Sequence, residues 1–459
     1  NEMSTRLLSA TSGIIALTLI YLIVYELWKN KKIALISMFV LAISPWHIFY
    51  SRGAFEGNLA LTVFCAGFLF WLKFINKGKL KFFFFSIVLF GLSMYCYQSE
   101  RLVVPLFGIL AIVYSFKKLL PIGRKLLLPI LVVLVILIPL LFITFTPGGY
   151  HRGLGVSIFS DQRAAPGWIN KEGLFINNDL YLRTKQVTAL YLSYFSPRNL
   201  FSDGDYDKQR SIEKFSVFYS FMFPFLVIGL IQLIKRKTIK EKLILVWILI
   251  APLPAALTTD PFHTYRSLML YLPLSILIGS GIFKVGDYFK KNNTIYILTI
   301  ISFSMINLSL FIYSYVVLTP ATRAQFWDYG YKEIVNFINS QYDYNQVRID
   351  DPTTEAYIHF LFFGKIDPKI YQSEVHKLNN PYEYYYSNAQ VLRPLGFENF
   401  VFRPVDWPSE RGDSKTIFVF KAEKLPQSEF QTDPNVKLLK EIYYPTGKTA
   451  FRIVKIIEH

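Results

Sequence analysis

The chain has 459 residues, 53% of them hydrophobic, and a formal charge of +17 at pH 7. Its mean hydropathy of +0.33 is too high for an ordinary soluble protein of this length, and so large a charge suggests nucleic acid only if its placement allows it. The two cysteines, Cys65 and Cys96, both fall in apolar runs, which excludes a disulfide framework and a Cys-x-x-Cys metal site.

A helix needs an apolar run of roughly 17–25 residues to cross a ~30 Å hydrocarbon core. Ten such runs follow one another near 8–28, 33–50, 56–75, 80–97, 102–117, 126–145, 214–234, 242–258, 266–283 and 294–318. The second is short and the ninth is broken by Pro273. Lysine and arginine cluster after every second run: Lys29, Lys31 and Lys32; Lys73, Lys77, Lys79 and Lys81; Lys117, Lys118, Arg124 and Lys125. The series continues with Lys235, Arg236, Lys237, Lys240 and Lys242, then Lys284, Lys290 and Lys291. The intervening short loops hold one arginine each, Arg52, Arg101 and Arg266. Basic short loops stay in the cytoplasm. The charge is therefore a topology signal and argues against nucleic acid as a partner. It places Asn1, the loop 146–213 and the tail after Leu318 on the extracytoplasmic face.

After Thr319 the apolar runs stop. Glu333–Tyr342 and Thr354–Phe363 read as helices, and Val347–Asp350, Thr416–Lys421 and Ala450–Ile457 as strands. The expected fold is a polytopic α-helical membrane protein, residues 1–318, with a small C-terminal extracytoplasmic α/β domain at 319–459. The Tyr382–Tyr386 cluster reads as surface or packing, although exposed aromatics also bind sugars and lipid headgroups.

Ionisable residues near lipid are expensive and mark function, and here they gather at the external ends of the spans. Glu2 and Arg6 stand four apart on one helical face. The second external turn brings His47, Arg52, Glu56 and Asn58, the third Gln98, Glu100 and Arg101, and a later one Asp260, His263 and Arg266. One such turn is explained by snorkelling and local ion pairs. Recurrence over four turns points to a shared external cavity whose arginines clamp a phosphate and whose carboxylates order a polyhydroxylated ligand. The loop 146–213 adds Tyr150-His151-Arg152, Asp161, Arg163, Trp168, Asp203, Asp205 and Arg210. Its length suits a lid or binding element, and Asp203-Gly204-Asp205 reads as a turn before it reads as an Asp-x-Asp metal motif.

These residues resemble the polyprenyl-phosphate-dependent glycosyltransferases of the GT-C fold, specifically bacterial members of family 39, relatives of protein O-mannosyltransferases and lipid A aminoarabinose transferases. Glu2-Met-Ser-Thr-Arg6-Leu-Leu-Ser9 resembles the family's Glu-x-x-x-Arg-Leu-x-Ser segment, and Ser44-Pro-Trp-His-Ile-Phe-Tyr-Ser-Arg52 its next external turn. Tyr194-Phe-Ser-Pro-Arg-Asn-Leu-Phe-Ser-Asp-Gly-Asp205 and Asp260-Pro-Phe-His-Thr-Tyr-Arg266 are similar to later external stretches. The resemblance implies transfer of a sugar from a polyprenyl-phosphate donor to a protein, lipid or glycan acceptor on the extracytoplasmic face of a bacterial plasma membrane. A carboxylate would act as general base on the acceptor hydroxyl, attack opposite the phosphate would invert the anomeric centre, and the leaving phosphate needs cationic stabilisation. Arg52, Arg101 and Arg266 are the phosphate candidates. His47, His263 and Asp260 orient substrate or hold a divalent ion.

The family's catalytic acidic residue precedes the Glu-x-x-x-Arg segment, which begins here at residue 2. The expectation is thus a C-terminal portion of a longer protein, with the principal carboxylate upstream of Asn1. A transporter or lipid flippase, and a non-catalytic scaffold with an external binding domain, are the alternative readings. The almost purely apolar span centres weigh against transport.

Overall fold

The structure, a computed structural model, describes residues 2–144, 146, 157–159, 179–289, 293–341, 344–350, 356–377 and 396–457. The external placement of Asn1, the loop residues Tyr150-His151-Arg152, Asp161, Arg163 and Trp168, and the Tyr382–Tyr386 cluster lie outside the described residues. Two compact units emerge, Asn1–Tyr315 and Val316–His459.

The first unit is a helical bundle. It contains α1 (Glu2–Trp28), α2 (Lys31–Ile43), α3 (Pro45–Arg52), α4 (Glu56–Lys77), α5 (Leu80–Cys96), α6 (Glu100–Leu119) and α7 (Leu127–Thr144). Then follow α8 (Asp179–Ser193), α9 (Phe223–Lys235), α10 (Ile239–Ile250), α11 (Leu253–Ala256), α12 (Leu268–Tyr288) and α13 (Asn293–Tyr313). The stretches Glu2–Trp28, Glu56–Lys77, Glu100–Thr144, Leu268–Tyr288 and the run starting at Thr294 are long and apolar enough to cross a membrane. The chain is an integral membrane protein.

Three expected spans differ in form. The second bends by 61° between α2 and α3, because Pro45 removes a helical N–H and Ser44 takes extended angles (φ −66°, ψ 130°). The seventh is helical only from Ser220, and the eighth stops at Ile250 before Pro252 and Pro254. Conversely, Pro273 does not break the ninth. It lies in the second turn of α12, so only the carbonyl one turn back loses its partner, and the helix runs through to Tyr288.

Helix α12 is the centre of the bundle: every residue from Leu268 to Ile282 is buried. A helix apolar on all sides belongs inside. Small residues let its neighbours approach. A Cβ on Gly281 would overlap the Phe225 carbonyl of α9, one on Gly229 of α9 would overlap the Leu277 carbonyl, and Gly279 faces Ser37 of α2. Buried hydroxyls and amides tie the other helices together. Asn58 donates to the Ser9 carbonyl (2.8 Å) and Thr62 to that of Ser12 (3.0 Å), joining α4 to α1; Ser86 donates to that of Gly67 (2.8 Å), joining α5 to α4. Helices α6 and α7 bury little of their surface.

The second unit holds a six-stranded sheet in the order β2-β3-β1-β4-β6-β5. The strands are β1 (Gln346–Asp350), β2 (Gly396–Phe397), β3 (Phe400–Arg403), β4 (Thr416–Lys421), β5 (Val436–Tyr443) and β6 (Thr449–Ile456). Strand β1 runs parallel to β3 and β4, while β2–β3, β4–β6 and β5–β6 are antiparallel. Alternation along β4 sends Ile417 and Val419 to one face, against Ile334, Val335 and Phe360, and Phe418 and Phe420 to the other, against Trp407 and Leu425. Helices therefore cover both faces, as parallel strands require.

Candidate functional site

Three turns of the bundle converge on one cavity. Glu56 begins α4, Tyr97 and Gln98 connect α5 to α6, Arg101 lies in the first turn of α6, and Arg266 ends the turn leading into α12. Together with Tyr95 and Cys96 these five line a cavity of about 340 Å³. Glu56, Gln98, Arg101 and Arg266 were all expected from sequence. Tyr97 was not; its phenol adds a hydrogen-bonding group to the wall. With two guanidiniums and one carboxylate, the cavity carries an excess of positive charge, which suits an anion.

Tyr265 fixes the Arg266 turn to α4. Its hydroxyl accepts the Gly57 N–H (2.8 Å), and its ring packs against Tyr50 (5.4 Å) and Tyr97 (4.7 Å). Behind the turn lies a buried polar cluster. The Asp205 side chain, 1% exposed, accepts from the Thr264 N–H (2.8 Å), from the Thr264 hydroxyl (2.8 Å) and from Arg210 Nε (3.0 Å). The Thr264 hydroxyl also meets Tyr50 Oη at 2.6 Å. Arg210 reaches Asp207 (2.7 Å) and Asp260 (3.8 Å). Burial opposes the Arg210 charge, but the hydrogen bond and charge of Asp205, with Asp207 and Asp260, hold its pKa above the usual value.

Asp260 stands 3.5 Å from Arg266 and 3.7 Å from His263, and is 41% exposed. His263 is buried. Its N–H donates to Tyr194 Oη (2.9 Å) and its Nδ1 accepts the Arg266 N–H (3.2 Å). Burial, then the charges of Arg266 and Arg210, push the imidazole down to about 2. It is a neutral ring that shapes the turn, and its approach to Asp260 is no ion pair.

The remaining expected residues do not line this cavity. His47 is buried against Trp46 (ring centroids 5.5 Å apart). Asn58 is fully buried as the clamp between α1 and α4, donating also to Ser51 Oγ (3.3 Å). Arg52 lies over the Tyr315 ring at 4.9 Å. Glu2 and Arg6 sit at the start of α1, Arg6 exposed. Asp203 ends a π-helical segment (Asn199–Asp203) capped by Gly204 at φ 73°, and the two carboxylates of Asp203-Gly204-Asp205 part, Asp203 to Arg198 (2.6 Å) and Asp205 inward. Among the described residues no group of three His, Cys, Asp or Glu side chains is placed to hold a metal ion.

Residues 1–143 match the family described as dolichyl-phosphate-mannose-protein mannosyltransferase. No curated protein matches the chain. Among solved structures, ArnT from Cupriavidus metallidurans bound to undecaprenyl phosphate is similar over 99% of this chain and 84% of its own, at 11% identity and a TM-score of 0.54. Apo ArnT from the same organism matches over 98% and 83% at 10% identity and a TM-score of 0.48. The archaeal oligosaccharyltransferase AglB from Archaeoglobus fulgidus, in complex with an inhibitory peptide and dolichol-phosphate, matches over 77% and 52% at 14% identity and a TM-score of 0.40. The chain thus has the GT-C glycosyltransferase fold of the ArnT kind, and its first 143 residues carry the mannosyltransferase-family sequence pattern.

Proposed function

We propose that this protein is a membrane glycosyltransferase that moves a sugar from a polyprenyl-phosphate donor to an acceptor on the extracytoplasmic face of a bacterial plasma membrane. The carrying observation is the convergence of Arg101 and Arg266, from separate turns, on one cavity with Glu56 and Gln98. The N-terminal family match and the fold shared with undecaprenyl-phosphate-bound ArnT support the same reading. In it the two guanidiniums bind the donor phosphate and stabilise the charge that grows on the leaving oxygen. Gln98 and Glu56 supply hydrogen bonds to sugar hydroxyls. Asp260, 3.5 Å from Arg266 and 3.8 Å from Arg210, gives the Arg266 charge a carboxylate neighbour before the donor arrives. The acceptor, whether protein, lipid or glycan, approaches from the aqueous side.

The test is Arg266→Ala in the full-length protein, assayed in membranes supplied with polyprenyl-phosphate sugars. Sugar transfer and release of polyprenyl phosphate should fall by about a hundredfold or more, the size of one lost donor to a developing anion, with expression unchanged. Unaltered turnover would remove Arg266 from the site. Solute uptake by the wild-type protein in vesicles, without sugar transfer, would replace this reading by transport.

A further inference from the structure

A second cavity, of about 610 Å³, opens between α2, α12 and α13. Leu35, Phe39, Ile282, Phe283, Ile297 and Ile300 form its apolar walls. Lys32, in the first turn of α2, and Asp287, in the last turn of α12, line it too, and both are exposed. Among the described residues neither forms an ion pair. This end of the bundle is aromatic as well: Phe289 stacks on Tyr296 (5.8 Å), and Tyr288 is 85% exposed. Aromatic rings of this kind sit at headgroup level. The groove is remote from the arginine cavity. Arg266 precedes α12 and Asp287 ends it, and the 21 residues of that helix span about 30 Å.

We propose that this groove binds an aminophospholipid, with one acyl chain along the apolar walls, its phosphate at Lys32 and its ammonium at Asp287. The walls lie on membrane-spanning helices, where hydrocarbon is the surrounding solvent. The opposite charges at the mouth match a zwitterionic phosphoethanolamine headgroup. A phosphatidylglycerol or polyprenyl phosphate offers the anion but leaves Asp287 facing like charge.

The experiment uses the full chain in vesicles of equal phosphatidylethanolamine and phosphatidylglycerol content, doped with polyprenyl phosphate. Retained lipids are identified by native mass spectrometry after gentle extraction. The wild-type protein should retain phosphatidylethanolamine over phosphatidylglycerol by roughly threefold, the preference one solvent-screened ion pair supports. Asp287→Asn should bring the two to parity, Lys32→Gln should lower retention of both, and Ile300→Trp, which fills the groove, should abolish retention. The thermal midpoint of each variant reports its folding separately. Equal retention by the wild type, preferential retention of polyprenyl phosphate, or an unchanged ratio in Asp287→Asn would each overturn the assignment.

Discussion

Replacing Asp205 by alanine tests the claim that a buried carboxylate frames the arginine cavity. Its side chain is 1% exposed and accepts two bonds of 2.8 Å from Thr264 and one of 3.0 Å from Arg210. Hydrogen bonds to a charged acceptor are worth about 1.5–3 kcal/mol each, but the loss is not additive. The Thr264 hydroxyl keeps Tyr50 at 2.6 Å, and Arg210 keeps Asp207 at 2.7 Å. What remains is a stranded Thr264 N–H, an Asp207 N–H that loses its 3.0 Å bond, and a guanidinium without its buried partner, which together cost about 3 kcal/mol. Asp260→Ala is the control. Its approaches are all 3.5 Å or longer and it is 41% exposed, so its loss costs under about 1 kcal/mol. The assay is the thermal midpoint of the purified full-length protein in detergent, followed by intrinsic fluorescence. Asp205→Ala should fall several degrees below Asp260→Ala, with Asp205→Asn between them. Equal midpoints for the two alanine variants would refute the framing role.

Other perturbations reach different parts of the molecule. Gly281→Ala should disrupt the α9–α12 crossing, since the added methyl meets the Phe225 backbone, and the protein should lose monodispersity in size-exclusion chromatography. Glu410 accepts from Arg403 (2.7 and 2.8 Å) and Arg348 (2.9 Å), and those bonds hold its carboxyl down to about 2. A depressed carboxylate stabilises above its unfolded pKa and loses that stabilisation as pH falls from about 5 towards 2. Hydrogen-exchange protection in β1 and β3 should decline over that window, and Glu410→Gln should flatten the decline. His263 acts with the same sign but from a higher pH. Its folded imidazole stays neutral down to about 2, whereas the unfolded one takes a proton near pH 6.5, so stability drops as pH goes below about 6.5. A His263→Gln variant should show a weaker acid slope in the same thermal scan; an identical slope would remove His263 from the account.

Sequence pattern carried the membrane class and the GT-C resemblance because both rest on local signals: run length, lysine placement and short ordered motifs. Four cavity residues were legible for the same reason, since polar and charged groups at span ends are conspicuous one at a time. Which of them meet was not. Asn58 and His47 look like Glu56 on the page, yet helical rotation sends them into the bundle while Glu56 faces the cavity. Asp205 was hidden by its own neighbourhood: Asp-Gly-Asp reads as a turn, and its partner Thr264 lies 59 residues away. Pro273 misled because a proline reads as a stop unless its position within the first turns is known. In the second unit, β3 has four residues and β2 two, too short to show alternation, and β5 carries lysines on a half-exposed face.

Helix α12 has a consequence for how the protein could be regulated or engineered. With glycine meeting backbone on α9 and Gly279 set against Ser37 on α2, it can neither slide nor rotate without a steric collision. Arg266 is mounted on the end of that fixed spindle, so on the proposed reading adjusting substrate preference falls to its partners in the cavity wall. Gln98, exposed on the connection between α5 and α6, is then the position at which a change carries least risk to the fold.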